Sequence, residues 1–321
     1  MAVASIGAGL GMKHTLNKTA KPAPKTEASD NTVVQDKVSL SSHAVTVNGH
    51  SNKVETHGDP FKATAQGNNN NVNVADQDAS GRVIGDDNFV YQTGKRSDVL
   101  VHGDKNHVVS TGEGGFATVE GRNNKLEQHS TEFGHKAGRS QIEGNDNQAK
   151  TEGGQSELEV HGNRNRADVN GAKVVQKGDS NSATALDGEV HQLGKSNNAD
   201  VVGGESLVKQ LGDQNSTRVA GERNRTTQLG DFNSQEVDGS DNRILTKGKF
   251  NDIKVSGNGN QIQVDGENIS LEVKGDDYQV LSRDGHIVAR DKDGNDVPVR
   301  EKNGTYVVGK QSWAEWLGLS S

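Results

Sequence analysis

Apolar and polar residues alternate in short runs along most of the chain, and the runs recur every nine residues. From Gly194 to Gly275 a glycine stands at each ninth position, and residues 257–265 (GNGNQIQVD) show the unit Gly-x-x-Asn-x-φ-x-φ-x, where φ is apolar. The same register runs from Gly49 to Gly121, with Asp76 in place of one glycine. Because residues two apart share one face of a strand, each unit predicts a short strand followed by a tight turn.

Alternate units differ in a way that groups them in pairs. Gln176, Gln192, Gln210 and Gln228 lie in alternate units, each two positions before the next glycine, and their spacing settles to 18 residues. Five extra residues, 130–134, and two seven-residue units that begin at Gly171 and Asp187 preserve this pairing. We therefore predict an all-β fold, a β-solenoid with two strands and about 18 residues in each coil.

The polar residues that recur inside the units predict a structural ladder. In stacked, in-register coils, equivalent side chains lie one above another, and amide side chains can hydrogen-bond to their equivalents. The predicted ladder consists of Asn197, Asn215, Asn233, Asn251, Gln176, Gln192, Gln210 and Gln228.

The chain divides into three segments. Residues 1–38 begin with a weak apolar stretch (1–12) and continue with a polar, Lys-rich segment (13–30), and we interpret them as a flexible leader or an export signal. No positive charge precedes the apolar stretch, so it makes a poor Sec signal peptide. The solenoid spans 39–275. In 276–321, three alternating runs (YQVLS, HIVAR and TYVV) separated by Asp-Gly and Asn-Gly turns predict a β-meander.

A short helix is predicted to follow the meander, because residues 312–315 (SWAE) fit a capping box. Trp313, Trp316 and Leu317 would share one face of that helix. Meander and helix together would cap the C-terminal end of the solenoid, and the alternative is that these three side chains contact a partner.

Composition agrees with a thin, repetitive core. Apolar residues make up only 29% of the 321 residues, which is typical of disordered chains, but a nine-residue unit needs only two inward apolar positions. The 40 glycines serve the turns. Without cysteine the chain has no disulfide or thiolate site, and without a long apolar run we expect no transmembrane span.

No motif for catalysis or metal binding emerges from the pattern. Residues 291–296 lack the residue order of a calcium loop, the histidines fall on coils that are not adjacent, and there is no nucleophile elbow or phosphate-binding loop. We expect a protein that is not an enzyme and needs no metal or cofactor. The net charge of −8 and the mixed outward charges argue against nucleic acid as a partner.

The Gln-x-Gly-x-x-Asn sequences at 192–197, 210–215 and 228–233 resemble the repeat core of the curlins, the subunits of bacterial curli fibres. That resemblance implies an exported β-solenoid that polymerises into functional amyloid and serves adhesion and biofilm formation. It implies end-to-end self-assembly as the first partnership.

Two functional hypotheses follow. The first is an exported structural β-solenoid, curlin-like, that acts in cell adhesion or the biofilm matrix, in the extracellular space or at the cell surface, as a fibre subunit. The second is a secreted effector or interaction protein that leaves the cell by a type III-like route. Its solenoid would bind a host or cell-surface protein or a matrix component.

Overall fold

A computed structural model describes residues 3–5, 43–56, 61–75, 77–111, 113–129, 138–153, 156–274, 279–283, 286–290, 295–302 and 305–308. The chain forms two compact units, 1–176 and 177–321. Both units are built from short parallel strands joined by tight corners, so the predicted β-solenoid fold is confirmed.

The first unit contains one strand for nearly every nine-residue repeat. Its strands are β1 (Val3–Ser5), β2 (His43–Asn48), β3 (Lys53–Thr56), β4 (Phe61–Gln66), β5 (Asn71–Val74), β6 (Ser80–Ile84), β7 (Phe89–Gln92), β8 (Asp98–His102), β9 (His107–Ser110), β10 (Phe116–Glu120), β11 (Lys125–His129), β12 (Arg139–Glu143), β13 (Gln148–Glu152), β14 (Glu157–His161), β15 (Arg166–Asn170) and β16 (Lys173–Lys177).

Alternate strands of this unit belong to different sheets. β1 pairs with β2, and the even-numbered strands from β2 to β14 then pair in parallel, each with the next. The odd-numbered strands from β3 to β15 do the same. One coil therefore contributes one strand to an even sheet and one to an odd sheet.

The second unit repeats this arrangement. Its parallel strands are β17 (Ser182–Leu186), β18 (Glu189–Leu193), β19 (Asn198–Val202), β20 (Leu207–Leu211), β21 (Ser216–Ala220), β22 (Arg225–Leu229), β23 (Ser234–Asp238), β24 (Arg243–Lys247), β25 (Asp252–Ser256), β26 (Gln261–Asp265) and β27 (Ser270–Lys274). The even strands β18 to β26 pair in parallel, and so do the odd strands β17 to β27.

The pairing register matches the predicted coil length. Partners on neighbouring strands are 18 residues apart in most pairs, as Ser216 and Ser234 are. The inserted residues widen this to 23 between Phe116 and Arg139, and the short unit at Asp187 narrows it to 16 between Ser182 and Asn198. In both cases the strands remain aligned, so the change in length lies outside the strands.

The core lies between the two sheets of each unit. From β17 to β25 the second and fourth residues of every strand are buried. Val208, Val237 and Ile253 are fully buried. Burial of such a side chain stabilises the fold by about 1.5–3 kcal/mol, and the same small contribution recurs on each coil.

Most corners begin with glycine, because the backbones of successive corners lie too close together to leave room for a Cβ atom. Gly230 has φ = +137°, and a Cβ atom there would lie 2.2 Å from the carbonyl oxygen of Gly212 one coil earlier. Two positions later, Phe232 has φ = +58°, in the left-handed region. This pair of conformations reverses the chain within four residues.

Antiparallel strands replace the parallel ones at the C-terminal end. They are β28 (Gln279–Arg283), β29 (His286–Arg290), β30 (Asp296–Val297), β31 (Val299–Lys302) and β32 (Thr305–Val308). β28 pairs with β27 of the odd sheet, and β32 pairs with β26 of the even sheet. β28, β29 and β32 coincide with the three predicted runs, whereas the predicted helix at 312–317 lies outside the described residues.

Candidate functional site

Buried glutamine side chains form a ladder through the second unit. Gln210 Nε2 donates to Gln192 Oε1, and Gln228 Nε2 donates to Gln210 Oε1, both at 2.7 Å. Gln210 Nε2 also reaches the carbonyl oxygen of Ser216 on the other sheet, at 2.8 Å. The ladder therefore joins successive coils and also joins the two sheets.

Asparagine forms a second ladder, at the corners, with a different bonding pattern. The backbone N–H groups of Asn197, Asn215 and Asn233 donate to Oδ1 of Asn215, Asn233 and Asn251 respectively, at 2.7–2.9 Å. The sequence predicts amide-to-amide contacts here, but the asparagine oxygen instead accepts a backbone N–H that the corner leaves outside the strand ladder. All four asparagines are buried.

Four predicted site residues remain. Gln176 is fully buried on β16, at the end of the first unit. Trp313, Trp316 and Leu317 lie outside the described residues, so their role as a cap or a partner contact stays a prediction.

The glutamine ladder belongs to a wider polar seam that the sequence analysis missed. Thr217 Oγ1 donates to Gln210 Oε1 at 2.5 Å, Gln235 Nε2 bonds Thr226 Oγ1, and Thr246 Oγ1 donates to Gln235 Oε1 at 2.8 Å. All these side chains are buried. In the sequence, these residues are recognisable as polar side chains at the sixth or eighth position of a unit, where the pattern otherwise places an apolar residue.

The outer face of the even sheet in the second unit has an unusual composition. Strands β20, β22 and β24 present nine outward side chains there, which we call the Arg–Leu face: Leu207, Lys209, Leu211, Arg225, Thr227, Leu229, Arg243, Leu245 and Lys247. Four are cations, four are leucines, and none is acidic. In a chain with a net charge of −8, this is a local concentration of positive charge and apolar surface.

The two arginines are the most prominent groups on this face. Arg225 and Arg243 are register partners on β22 and β24 and are both exposed. Neither forms an ion pair with another described residue, and the same holds for Lys209, whereas Lys247 Nζ lies 3.2 Å from Asp265 Oδ2.

A shallow groove of about 170 Å³ lies between the arginines and the next column of side chains. Its outward lining consists of Arg225, Arg243, Thr227, Leu245 and Gln263. It is smaller than the pockets that enclose drug-sized ligands, so a molecule bound there would extend beyond it along the face.

The opposite face of the same coils is mixed in charge. On β21, β23 and β25 of the odd sheet, Arg218 and Lys254 stand among Glu236, Asp238 and Asp252. The sequence analysis treated all outward positions as mixed, which is correct for this face and wrong for the Arg–Leu face.

The odd sheet of the first unit has an outward network of histidine, lysine and glutamate. His129 Nδ1 lies 2.8 Å from Glu152 Oε2, and its Nε2 lies 3.7 Å from Glu127 Oε2. Hydrogen bonds from Lys125 to Glu127, and from Lys150 and His129 to Glu152, lower the pKa of both glutamates. These charges neutralise one another, so this face has no surplus of either sign to attract a ligand.

Arginine and aspartate also pair across the corners of the first unit. Arg96 donates to both carboxylate oxygens of Asp78 one coil earlier, at 2.7 and 2.8 Å, and Arg164 binds Asp146 in the same way. The Arg96 hydrogen bonds lower the pKa of Asp78 to about 2. Such exposed pairs connect neighbouring corners. Because these arginines already bind aspartate, they are not available to bind another anion.

Two aromatic side chains stack at the corners of the second unit. The rings of Phe232 and Phe250 lie 5.0 Å apart and nearly parallel, and the two side chains are 58% and 49% exposed. Like the amide ladders, this contact follows from the alignment of equivalent positions on successive coils.

Within the described ranges, no group of three His, Asp or Glu side chains converges as metal ligands would. In that same part of the chain, no helix has the length and apolar character needed to cross a membrane.

Comparison with known proteins gives one partial match. A family model described as a protein of unknown function, DUF3060, matches residues 237–296. The matched segment contains β24 to β29 and therefore includes both the last coils and the first antiparallel strands. No curated protein and no solved structure matches the chain.

The Arg–Leu face is detectable in the sequence when alternate repeats are compared. The glutamine period already shows that alternate units belong to one sheet. Sorting the outward fifth, seventh and ninth positions by alternate units would have placed Lys209, Arg225 and Arg243 together. Taken over all units, the same positions average to mixed charge.

Proposed function

We propose that this chain is a non-enzymatic structural protein of the extracellular space or the cell surface, which acts in adhesion or in the biofilm matrix. In this proposal the solenoid is a scaffold that holds outward side chains in fixed rows, and another macromolecule binds those rows. The ladders of Gln210 and Asn215 support it, because they tie each coil to the next and keep the rows aligned.

The observation that carries the proposal is the end of coil stacking inside the chain. β26 and β27, the last parallel strands of the two sheets, pair with antiparallel strands β32 and β28. The outermost strands of the two sheets, β30 and β31, flank Pro298, and β31 has the sequence VREK. Proline and charged residues on outer strands disfavour edge-to-edge pairing. A second chain would therefore not continue the parallel stack at this end.

A curlin-like fibre subunit is the second candidate, and the amide ladders favour it. Stacked amides of the kind formed by Gln192, Gln210 and Gln228 are also a source of stability in amyloid. At the N-terminal end of the odd sheet, β3 pairs only with β5 among the described strands, so growth from that end would decide for the fibre.

Electron microscopy and thioflavin T fluorescence of the purified full chain, followed over several days, test the proposal. We expect monodisperse particles without a fluorescence increase. Deletion of residues 276–321 removes the strands that cover β26 and β27, and we expect the truncated chain to self-associate at the same concentration. Fibres formed by the full chain would instead establish the fibre subunit.

Export is tested separately. Residues 1–38 fused to a reporter enzyme should direct it out of the cell if they form an export signal. Retention of the fusion inside the cell would contradict that assignment.

A further inference from the structure

We infer that the Arg–Leu face binds a linear acidic polysaccharide of the polyuronate class, with the sugar chain lying along the solenoid axis across β20, β22 and β24. This inference rests on the proposed function, and it identifies the surface and the chemical class of the partner.

The charge of the face favours an anionic partner. Lys209, Arg225 and Arg243 have no ion pair among the described residues, whereas Arg96, Arg164 and Arg223 each have one. Two guanidinium groups on adjacent strands, about 4.8 Å apart at their Cα atoms, repel each other unless an anion lies between or above them. Guanidinium binds carboxylates in a bidentate manner, so a chain with a carboxylate on each sugar offers matching groups in a row.

The rest of the groove suits a sugar ring. Leu245 supplies an apolar surface for the C–H groups of a pyranose ring, and the Thr227 hydroxyl and the Gln263 amide can bond its hydroxyl groups. These three side chains are half-buried and the arginines are exposed. The cations therefore stand beside the groove and the apolar contact forms its floor.

An acidic peptide fits this face less well. Extended peptides gain affinity by adding to a free sheet edge, where they pair their backbone N–H and C=O groups. β22 is paired on both sides, with β20 and β24, and β24 is paired with β22 and β26. A peptide on this face would leave its backbone groups without partners, whereas a polyuronate has no backbone amides to satisfy.

A second copy of the chain and a lipid surface are also poorer occupants. A symmetric contact of the face with itself would bring arginine against arginine. Of the four leucines on this face Leu211 is exposed and the other three are half-buried, so a flat bilayer would gain little apolar contact.

Isothermal titration of the full chain with polygalacturonate is the test, with neutral dextran as the negative control. We expect saturable binding to polygalacturonate that weakens as salt rises, and none to dextran. Arg225→Gln with Arg243→Gln should weaken binding by about 10-fold or more, because two charge-assisted contacts are lost. Lys209→Gln, a second variant on a neighbouring strand, should weaken binding by a smaller factor.

The matched control is Arg218→Gln with Lys254→Gln, which removes the same two charges from the opposite face. It should change the affinity by less than about two-fold, as expected for charges remote from the site. Circular dichroism should show the wild-type spectrum for every variant. Equal losses in the two double variants would overturn the inference, because binding would then follow net charge and not the face.

Two other probes separate the rival partners. Polyglutamate that binds more tightly than polygalacturonate, or vesicles of phosphatidylglycerol that bind while polygalacturonate does not, would overturn the inference in favour of an acidic peptide or a lipid surface. A chain that adheres to matrix or cells but does not bind polygalacturonate would refute this inference and leave the proposed function standing. Fibre formation by the full chain would refute the proposed function itself.

Discussion

At the scale of single residues, the buried amide side chains contribute more to stability than their small number indicates. Gln210 makes hydrogen bonds to the coil before it, the coil after it and the opposite sheet. A hydrogen bond contributes only about 1 kcal/mol net, but an unpartnered buried group costs about 1–3 kcal/mol. The solenoid is therefore sensitive to the loss of one ladder member.

Gln210→Leu should lower the free energy of unfolding by about 2–4 kcal/mol, because it leaves Gln192 Oε1 and the Ser216 carbonyl without their donor. Urea denaturation followed by circular dichroism measures this change. Lys209→Gln on the same strand points outward and should change stability by less than about 0.5 kcal/mol. Similar losses in both variants would show that the ladder has no special role.

The exposed pair of Asp78 and Arg96 allows a sharper test, because the contact with Arg96 is the largest cause of the lowered pKa of Asp78. The carboxyl of Asp78 should titrate near pH 2, well below its ordinary value of 3.8, since Arg96 stabilises the charged form. The folded-state pKa lies below the unfolded one, so the stabilisation is present above about pH 4 and is lost as the pH falls towards 2.

Arg96→Gln should return the pKa of Asp78 towards its ordinary value, and the titration of the side-chain carboxyl carbon by NMR measures it. Arg82→Gln, an outward arginine on β6 of the same unit, is the control and should leave the Asp78 titration unchanged. An Asp78 pKa that does not respond to the loss of Arg96 would show that the corner pair does not form in solution.

At the scale of strands and corners, the sequence predicts the repeat well. The positions of the strands, their two inward residues and the glycine corners follow from the nine-residue period, because strand alternation and positive φ each leave a local signature. Val208 and Val219 are buried where the pattern places them. The coil length follows in the same way from the glutamine spacing.

The details that depend on neighbouring coils were harder to predict. The bond from the backbone of Asn197 to the side chain of Asn215 requires the geometry of two stacked corners, which no single repeat contains. The inward Thr226 and Gln235 were missed because they bond to each other across two different repeats. The Arg–Leu face was missed because it exists only when three alternate repeats are aligned.

At the scale of the whole molecule, the coil is the unit in which the chain can be lengthened or shortened. Deletion of residues 212–229 removes one complete coil and joins two equivalent corners. We expect the shortened protein to fold and to lose less than about 5 °C in Tm, because every remaining strand keeps its sheet.

Deletion of only nine residues, 212–220, is the control. It moves all later strands to the other sheet. β28 and β32 would then have to cover the sheets opposite to those that they cover in the native chain. We expect a loss of more than about 10 °C in Tm. Thermal melting followed by circular dichroism compares the two deletions, and equal melting temperatures would contradict the two-strand coil.

The inserted residues between β11 and β12 separate two properties that are joined in most folds, namely the length of the chain and the alignment of its sheets. Phe116 and Arg139 remain register partners although they are 23 positions apart in the chain. New segments can therefore enter the chain at a corner during evolution while each strand keeps its neighbours. A repeat protein of this kind can gain a protruding loop, and with it a new specificity, without changing the architecture that carries it.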